Sequence, residues 1–437
     1  MTFLIVSIVA IVITGTLLLL VLFEPGLRYD VQESRYAIDS PEFLCLLGAL
    51  SDAQVHQQSR IEVLSSADAF YEAELQAIRA ATRSINLEAF IFRRDVMGRR
   101  FVEALTERAR AGVRVNLVID AVGCLKTWNS TFAELRKAGG RVKWYQPLRW
   151  YTLKRYNNRT HRELLVVDGQ VGFIGGAGIG DWWTTGSRFS PPWRDTVVRV
   201  TGDLVAGLQT TFTENWLEAA EEILTGDEYF PTCCIDRAPA EVQPPEPDHP
   251  DAAVAAGIVV ISTPSAGRST RARLLFQMLL ASARRTIRIN SPYFLPDRSV
   301  QRELLKAAAR GVKVQVVVPS EYNNHPITRH ASRRRYGHLL RNGIEIYEYQ
   351  PSMIHVKCLI VDEIWCVIGS TNFDNRSFGL NDEVNLAAQS PALSRRLCQD
   401  FERDMTSSEK VTLEKWKRRS LWEKFLETVG RLIERQQ

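Results

Sequence analysis

Two histidines stand 194 positions apart in matching frames. THRELLVVDGQVGFIGG (residues 160 to 176) places His161, Asp168 and Gly175 at the same offsets as His355, Asp362 and Gly369 in IHVKCLIVDEIWCVIGS (residues 354 to 370). In the second frame His355 and Lys357 lie two residues apart, so on an extended strand their side chains share a face. Leu359 and Val361 carry that strand into a core. A turn after Asp362 then reverses the chain and returns Ser370 and Asn372 toward the histidine. An imidazole beside an ammonium, a hydroxyl and an amide suits a phosphate. The cation and donors stabilise charge on the non-bridging oxygens while the imidazole attacks or moves a proton.

The elements that must position these groups are also written twice. SINLEAFIF (84 to 92) leads into FVEALTERARAGVRVNLVIDAVG (101 to 123), an amphipathic helix followed by an apolar strand. TIRINSPYF (286 to 294) leads into QRELLKAAARGVKVQVVVPSEY (301 to 322) in the same order. AGGRVKWYQPL (138 to 148) and RNGIEIYEYQPSM (341 to 353) follow, each a short strand ending in Tyr-Gln-Pro, and then the two frames. Helices alternating with apolar strands predict an α/β fold of two duplicated halves, each a mixed β-sheet flanked by helices. The expected halves are 61–236 and 255–407, joined by a proline-rich linker over 237–254 that contains RAPAEVQPPEPDHP.

The 437 residues are 45% apolar and 24% charged, enough to bury a core, so the composition excludes a disordered chain. A formal net charge of +5 fits a membrane surface or a phosphate-bearing substrate and does not require nucleic acid. The seven cysteines include the adjacent Cys233 and Cys234, and their spacing signals neither a disulfide framework nor a structural zinc. Thr2 to Phe23 carries no charge and no proline. As a helix of about 33 Å it would cross a bilayer core of about 30 Å, so the expectation is an uncleaved single transmembrane helix over 1–24 and a juxtamembrane segment over 25–60. Arg28 and Arg35 follow the span and no Lys or Arg precedes it, which places the catalytic region on the cytoplasmic side. Residues 408–437 read as an amphipathic C-terminal helix, with Trp416, Leu421, Trp422, Phe425, Leu426 and Val429 near helical spacing among basic residues. Such a helix either packs on the body or lies on an anionic bilayer, and packing is favoured. For RHASRRRYGH (329 to 338) the expectation is a solvated helix face.

HVKCLIVD followed by GSTN resembles the HKD signature of the phospholipase D superfamily. With the apolar N-terminus and the wording of both halves, the chain beyond about residue 40 is similar to the bacterial cardiolipin synthases of that superfamily. The resemblance implies two HKD sets meeting at a pseudo-twofold axis to form one active site, without metal or cofactor. It implies that one histidine attacks phosphorus to give a phosphohistidine while the other protonates the leaving alcohol and activates the incoming one, the first histidine usually being the attacker. Each histidine also needs an orienting carboxylate. By position these are Asp195 for the first half and Glu383 for the second, each about thirty residues beyond its histidine. Asp168 and Asp362, with Gly175 and Gly369, are expected to be structural.

The first frame departs from this pattern. Glu163 stands where the family has lysine, Gly176 matches Ser370, and Gly178 matches Asn372. A lone carboxylate would repel a phosphodiester. The favoured reading is that Arg159 or Arg194 supplies the missing charge and Glu163 fixes it; an inactive first half, or head-group binding by Glu163, are the alternatives. The substrate-binding set is therefore Ser370, Asn372, Glu163, Arg159 and Arg194. Trp182, Trp183, Trp193, Tyr293 and Phe294 either line an apolar entrance or pack in the core.

The HKD chemistry serves lipases, transferases and nucleases alike. An anchor at a bilayer favours lipid phosphodiesters, so the expected partners are phosphatidylglycerol, cardiolipin and the bacterial inner membrane, with no nucleic acid. Three functions stay open: phosphatidyl transfer giving cardiolipin and glycerol, hydrolysis to phosphatidic acid, and a membrane-tethered lipid-binding protein.

Overall fold

A computed structural model describes residues 2–22, 30–32, 34–147, 157–187, 190–231, 252–264, 270–420, 422–424 and 427. The first repeat runs β1 (Val55–Leu64), α3 (Ala67–Ala80), β2 (Ser84–Ala89), α4 (Val96–Arg110), β3 (Arg114–Asp120), α5 (Ala133–Lys137), β4 (Arg141–Tyr145), β5 (Glu163–Val167), β6 (Val171–Gly175), β7 (Val197–Gly202) and α6 (Leu204–Ala220). The second repeats that order with β8 (Ala253–Ser262), α7 (Arg271–Ser282), β9 (Thr286–Asn290), α8 (Arg298–Ala309), β10 (Lys313–Pro319), α9 (Pro326–Arg341), β11 (Glu345–Tyr349), β12 (Cys358–Val361), β13 (Trp365–Gly369), β14 (Glu383–Gln389) and α11 (Pro391–Thr406). The short α10 (Asn375–Gly379) lies between β13 and β14. The expected start of the first half, residue 61, falls inside β1, and most of the expected linker lies outside the described residues, as do Cys233 and Cys234.

The strands form one sheet rather than two. Antiparallel pairing of β1 with β8 joins the halves, and outward from that seam the orders mirror each other: β7, β6, β5, β2, β3, β4 on one side and β14, β13, β12, β9, β10, β11 on the other. In each half the inner strands pair antiparallel and the three outer ones parallel, which gives the mixed sheet that the alternation of helices and strands predicts. β3 is buried at every position after Arg114 and β10 at every position after Lys313, because helices cover both faces. The helices before these strands begin on side-chain caps. Asp95 accepts from the Gly98 amide, and Asp297 accepts from the amides of Ser299 and Val300. They end at Gly112 and Gly311, whose φ values of +89° and +88° are the left-handed geometry that glycine adopts freely.

On one sheet face α6 and α11 cover a core drawn from both halves, with Val118, Val166 and Ile174 in the same cluster as Val317, Ile360 and Ile368. The other face carries a separate core for each half. α2 (Pro41–Ser51) adds Phe43, Leu44 and Leu47 to the second of these. α1 covers Thr2–Leu22, with side chains described from Ile5 to Thr16. Among the described residues no helix is long and apolar enough to cross a membrane, so the transmembrane part of the expected fold class is not established by the architecture.

The tail begins as a strand rather than a helix. β15 (Ser408–Lys410) pairs antiparallel with β11, and α12 (Leu413–Lys417) follows. Trp416 then packs on Gly337, donates from Nε1 to the Arg333 carbonyl at 2.8 Å, and carries the Arg419 guanidinium 3.6 Å from its ring centre. The described start of the tail is thus packed on the body. The basic stretch of α9 is half-buried instead of solvated: Tyr336 and Gly337 are buried, and Arg333 lies 3.4 Å from Glu348.

Asp168 and Asp362 close equivalent turns. Both adopt φ near +55° (53° and 55°), and each carboxylate accepts from three consecutive amides at the entry of a neighbouring strand. For Asp168 these are Thr82, Arg83 and Ser84 at 2.8–2.9 Å; for Asp362 they are Arg284, Arg285 and Thr286 at 2.7–2.8 Å. Asp362 is buried, so its removal leaves several donors unsatisfied in a dry site. Asp362→Ala is expected to destabilise the protein by roughly 2–4 kcal/mol, read as a lowered denaturant midpoint, and Asp168→Ala, where water can reach the amides, by less.

Candidate active site

The two histidines precede matching strands, His161 before β5 and His355 before β12, at the seam between the halves. Main-chain bonds stitch each to the opposite half. The His161 amide donates to the Asp382 carbonyl at 2.9 Å and the Asp382 amide to the Arg159 carbonyl at 2.9 Å. Symmetrically, the His355 amide donates to the Arg194 carbonyl at 2.7 Å and the Arg194 amide to the Met353 carbonyl at 2.9 Å.

This crossing corrects the expected pairing of histidines with acids. His355 Nδ1 lies 2.8 Å from Asp195 Oδ2, across the halves, and His161 Nδ1 lies 3.4 Å from Glu383 Oε1, again across the halves. Each half therefore supplies a histidine and the partner acid of the other histidine. Asp195 is held by the Trp183 indole N–H at 3.1 Å and by the Thr196 amide at 2.9 Å. Glu383 is held by the Ser370 hydroxyl and, at 3.4 Å, by the Asn381 side-chain amide. Ser370 therefore orients the carboxylate that reaches His161.

Lys357 Nζ sits 3.2 and 3.3 Å from the two ring nitrogens of His355. Burial, reinforced by the Lys357 charge and opposed by Asp195, pushes the His355 imidazole down to about 4. It is neutral at neutral pH, and with its Nδ1–H directed to Asp195 it keeps the lone pair on Nε2. Burial also lowers the Lys357 ammonium, while the charges of Asp195, Glu383 and Glu163 push it back up. Asn372 is buried; its amide donates to Ser377 Oγ at 3.2 Å, and its Oδ1 has no hydrogen-bond partner among the described residues.

Among the described residues Glu163 does not hold an arginine. Its Oε1 accepts from the Ile91 amide at 3.1 Å. Arg194 is instead paired with Asp404 at 3.0 Å and donates to Ser65 O and Thr196 Oγ1; Arg159 lies 3.6 Å from Asp120 and donates to Gln146 O. The positive charge that acts on Glu163 is Lys357 of the other half. Burial is the larger effect, and it raises the Glu163 carboxyl well above the usual range, with the Ile91 amide and Lys357 opposing and Glu74 and Asp195 adding to the rise. Glu74, on α3, is itself pushed up to about 8 by burial, and both line a small cavity with Glu88, Leu165 and Phe173.

The two glycines of the first frame fit this arrangement. A Cβ at Gly178 would lie 2.7 Å from the Ile91 carbonyl and 2.9 Å from Glu163 Oε1, so an asparagine there would displace both. A Cβ at Gly176 would lie 2.8 Å from Lys357 Nζ. Gly175 and Gly369 allow the close approach of β6 to β7 and of β13 to β14: added Cβ atoms would lie 2.6 Å from the Thr196 carbonyl and 2.1 Å from the Val384 carbonyl.

The tryptophans form a wall around His355. Trp193 and Trp183 are buried, with ring centres 5.4 and 6.0 Å from the imidazole, and Phe294 is buried in the core. Two contributors escape sequence reasoning. The Phe90 ring lies tilted with its centre 4.3 Å from that of His161, and in sequence it reads as one more apolar strand residue. His325 follows β10 and is exposed, with its ring centre 5.5 Å from that of Tyr293. Its position after the carboxyl end of a parallel strand, where α/β sheets place ligands, was the signal available.

A sequence model of the family described as cardiolipin synthase, PLD-like domain, matches residues 75–188 and 276–405. The chain belongs to this family. Among its relatives, cardiolipin synthase 1 of Staphylococcus epidermidis is 32% identical over 385 residues, 87% of this chain and 75% of that protein. A cardiolipin synthase of Geobacillus kaustophilus is 33% identical over 377 residues, 86% of this chain and 72% of that one. Among solved structures, the phosphatidylserine synthase of Haemophilus influenzae aligns with a TM-score of 0.67 at 14% identity, covering 90% of this chain and 99% of that one, a likeness of fold. In this cardiolipin synthase family member both frames retain histidine and acid, and only the second retains the lysine. Lys357→Met is expected to raise the His355 pKa from about 4, because a depressing charge is removed, and Asp195→Asn to lower it further; ¹⁵N-imidazole NMR titration reads both.

Proposed function

We propose that the chain is a phosphatidyltransferase that joins two phosphatidylglycerol molecules into cardiolipin and releases glycerol. The observation that carries this reading is the pair of histidines, each held by the other half's carboxylate, in a chain whose relatives are named cardiolipin synthases. His355 is the better nucleophile, being neutral, oriented by Asp195 and next to the Lys357 cation. In the first step its Nε2 bonds to phosphorus and the phosphorus–oxygen bond to glycerol breaks. His161, the more exposed of the two, gives the leaving oxygen a proton. In the second step His161 takes the proton of a hydroxyl on the second phosphatidylglycerol, whose oxygen bonds to phosphorus as the phosphorus–nitrogen bond breaks. Lys357 faces the non-bridging oxygens. Burial disfavours the charged form of Glu163, which lessens its repulsion of the phosphodiester where the second half has an ammonium.

A single-pass anchor over Thr2–Phe23 belongs to the same reading. It is supported by the absence of charge in that stretch and by the exposure of Ile5, Val6, Ile8, Val9, Ile11, Val12 and Ile13 on α1, an arrangement costly in water. Arg28 and Arg35 beyond the span support a catalytic body on the cytoplasmic side of a bacterial inner membrane.

Purified full-length protein given labelled phosphatidylglycerol is expected to yield cardiolipin and glycerol in equal amounts. Phosphatidic acid as the main product would assign hydrolysis instead, and no turnover would leave a tethered binding protein. His161→Ala and His355→Ala each lower turnover by about 10³-fold or more, and Glu163→Ala by roughly 10-fold. A phosphatidyl p-nitrophenyl ester, whose leaving group needs no proton, separates the roles. His161→Ala retains a burst of p-nitrophenolate and His355→Ala shows none; the opposite pattern would transfer the attack to His161.

A further inference from the structure

Large apolar side chains stand exposed on the loops that border the catalytic histidines. In the first half the segment after β3 carries Leu125 at 66% and Trp128 at 62% exposure, and Val96 at the start of α4 is 55% exposed. In the second half the equivalent segment after β10 carries Ile327 at 49%. Both segments are tied to the site. A Cβ at Gly123 would touch the Phe90 ring at 2.7 Å, and Cys124 Sγ donates to the Phe90 carbonyl at 3.2 Å, while the other side of Phe90 lies on His161. Across the site, Tyr293 donates to Asn324 at 2.7 Å and its ring meets that of His325 at 5.5 Å, two residues before Ile327.

We propose that these two tips, the loop from Leu125 to Trp128 and the first turn of α9 at Ile327, dock into the interfacial layer of an anionic bilayer and so deliver lipid phosphodiesters directly to the site. The inference rests on the lipid substrate assigned above and deepens it. The charge pattern around the first tip suits an anionic lipid surface, with Arg94, Arg99 and Lys126 exposed there. Arg94 stacks 4.2 Å from the Trp128 ring centre, which makes an amphipathic unit of the kind that sits at headgroup level. The anchor adds a distance limit. Asp30, eight residues beyond Leu22, pairs with Arg302 at 2.7 Å and Lys306 at 3.4 Å on α8. Eight extended residues reach at most about 28 Å, so the end of α1 stays that close to the flank of the second half. A protein partner would call for one continuous apolar patch, whereas here single apolar tips alternate with basic residues.

The test uses full-length protein reconstituted in phosphatidylglycerol-containing vesicles. The double variant Leu125→Asp/Trp128→Asp, and separately Ile327→Asp, are expected to lose at least about 10-fold in turnover of vesicle-embedded phosphatidylglycerol. Both keep wild-type turnover of a short-chain, monomeric phosphatidylglycerol, which also shows that they fold. Equal losses on the two substrates, or no loss on vesicles, would overturn the proposal. A second readout does not depend on activity. With brominated acyl chains in the vesicle, the wild type is expected to be quenched more than Trp128→Phe, and equal quenching would again overturn it. If the wild type turned over neither lipid, the functional assignment would fail while the quenching comparison still decided the docking.

Discussion

Everything in this molecule depends on an exchange: each histidine is completed by a carboxylate from the opposite half. His355 rests on Asp195 and His161 on Glu383, and the strands bearing them are bonded through Arg194–Ile354 and Thr160–Asp382 bridges. Each carboxylate is pre-set by donors of its own half, Asp195 by Trp183 and Thr196 and Glu383 by Ser370, and a histidine from the other half completes it. The continuous sheet brings the two sets together. The β1–β8 seam sets the halves in one register, and the shared core beneath α6 and α11 keeps that register rigid.

The surroundings of the first histidine show how far this ordering extends. Thr160, just before His161, donates its hydroxyl to buried Glu88, which also accepts from Asn215 of α6 at 2.5 Å. Its amide donates to Asp120 at the end of β3. Burial pushes Glu88 up to about 7 against the opposing charge of Arg162, and Arg162 is itself fully buried and paired with Glu214. The histidine is thus fixed by strands β2 and β3, by a helix and by the other half. This converts a segment without regular structure of its own into a rigid support.

Much of this was legible in the residues. The repeat, the order of elements and the mixed sheet follow from matched blocks in which helices alternate with apolar strands, and the clamping role of Asp168 and Asp362 from their place at the turns, which act locally. The pairing of acids was not legible, because chain distance favours the histidine of the same half, about thirty residues away, whereas the imidazoles that Asp195 and Glu383 reach lie 160 and 222 residues away. Only the approach of the halves decides between them. Arg159 and Arg194 failed as partners for Glu163 for a related reason: Asp120 and Asp404, which take them, are distant in sequence. The start of the tail read as a helix because its aromatic spacing was helical, but the free edge of β11 offered main-chain partners that three residues of β15 satisfy.

The broken symmetry of the two frames is one coupled change rather than three losses. Glu163 is anchored on the Ile91 amide, and its Oε1 sits so near Gly178 that a side chain there would collide with it. The absence of a side chain at Gly176 leaves room in the same way for the Lys357 ammonium from the opposite half. One cation thus stands at the seam, close to His355 and acting on Glu163, where two equivalent cations would repel each other in a low-dielectric pocket. That asymmetry separates the histidines chemically. The imidazole beside the cation is driven neutral and is enclosed by Trp183 and Trp193, while the other lies against Phe90 at the more open side.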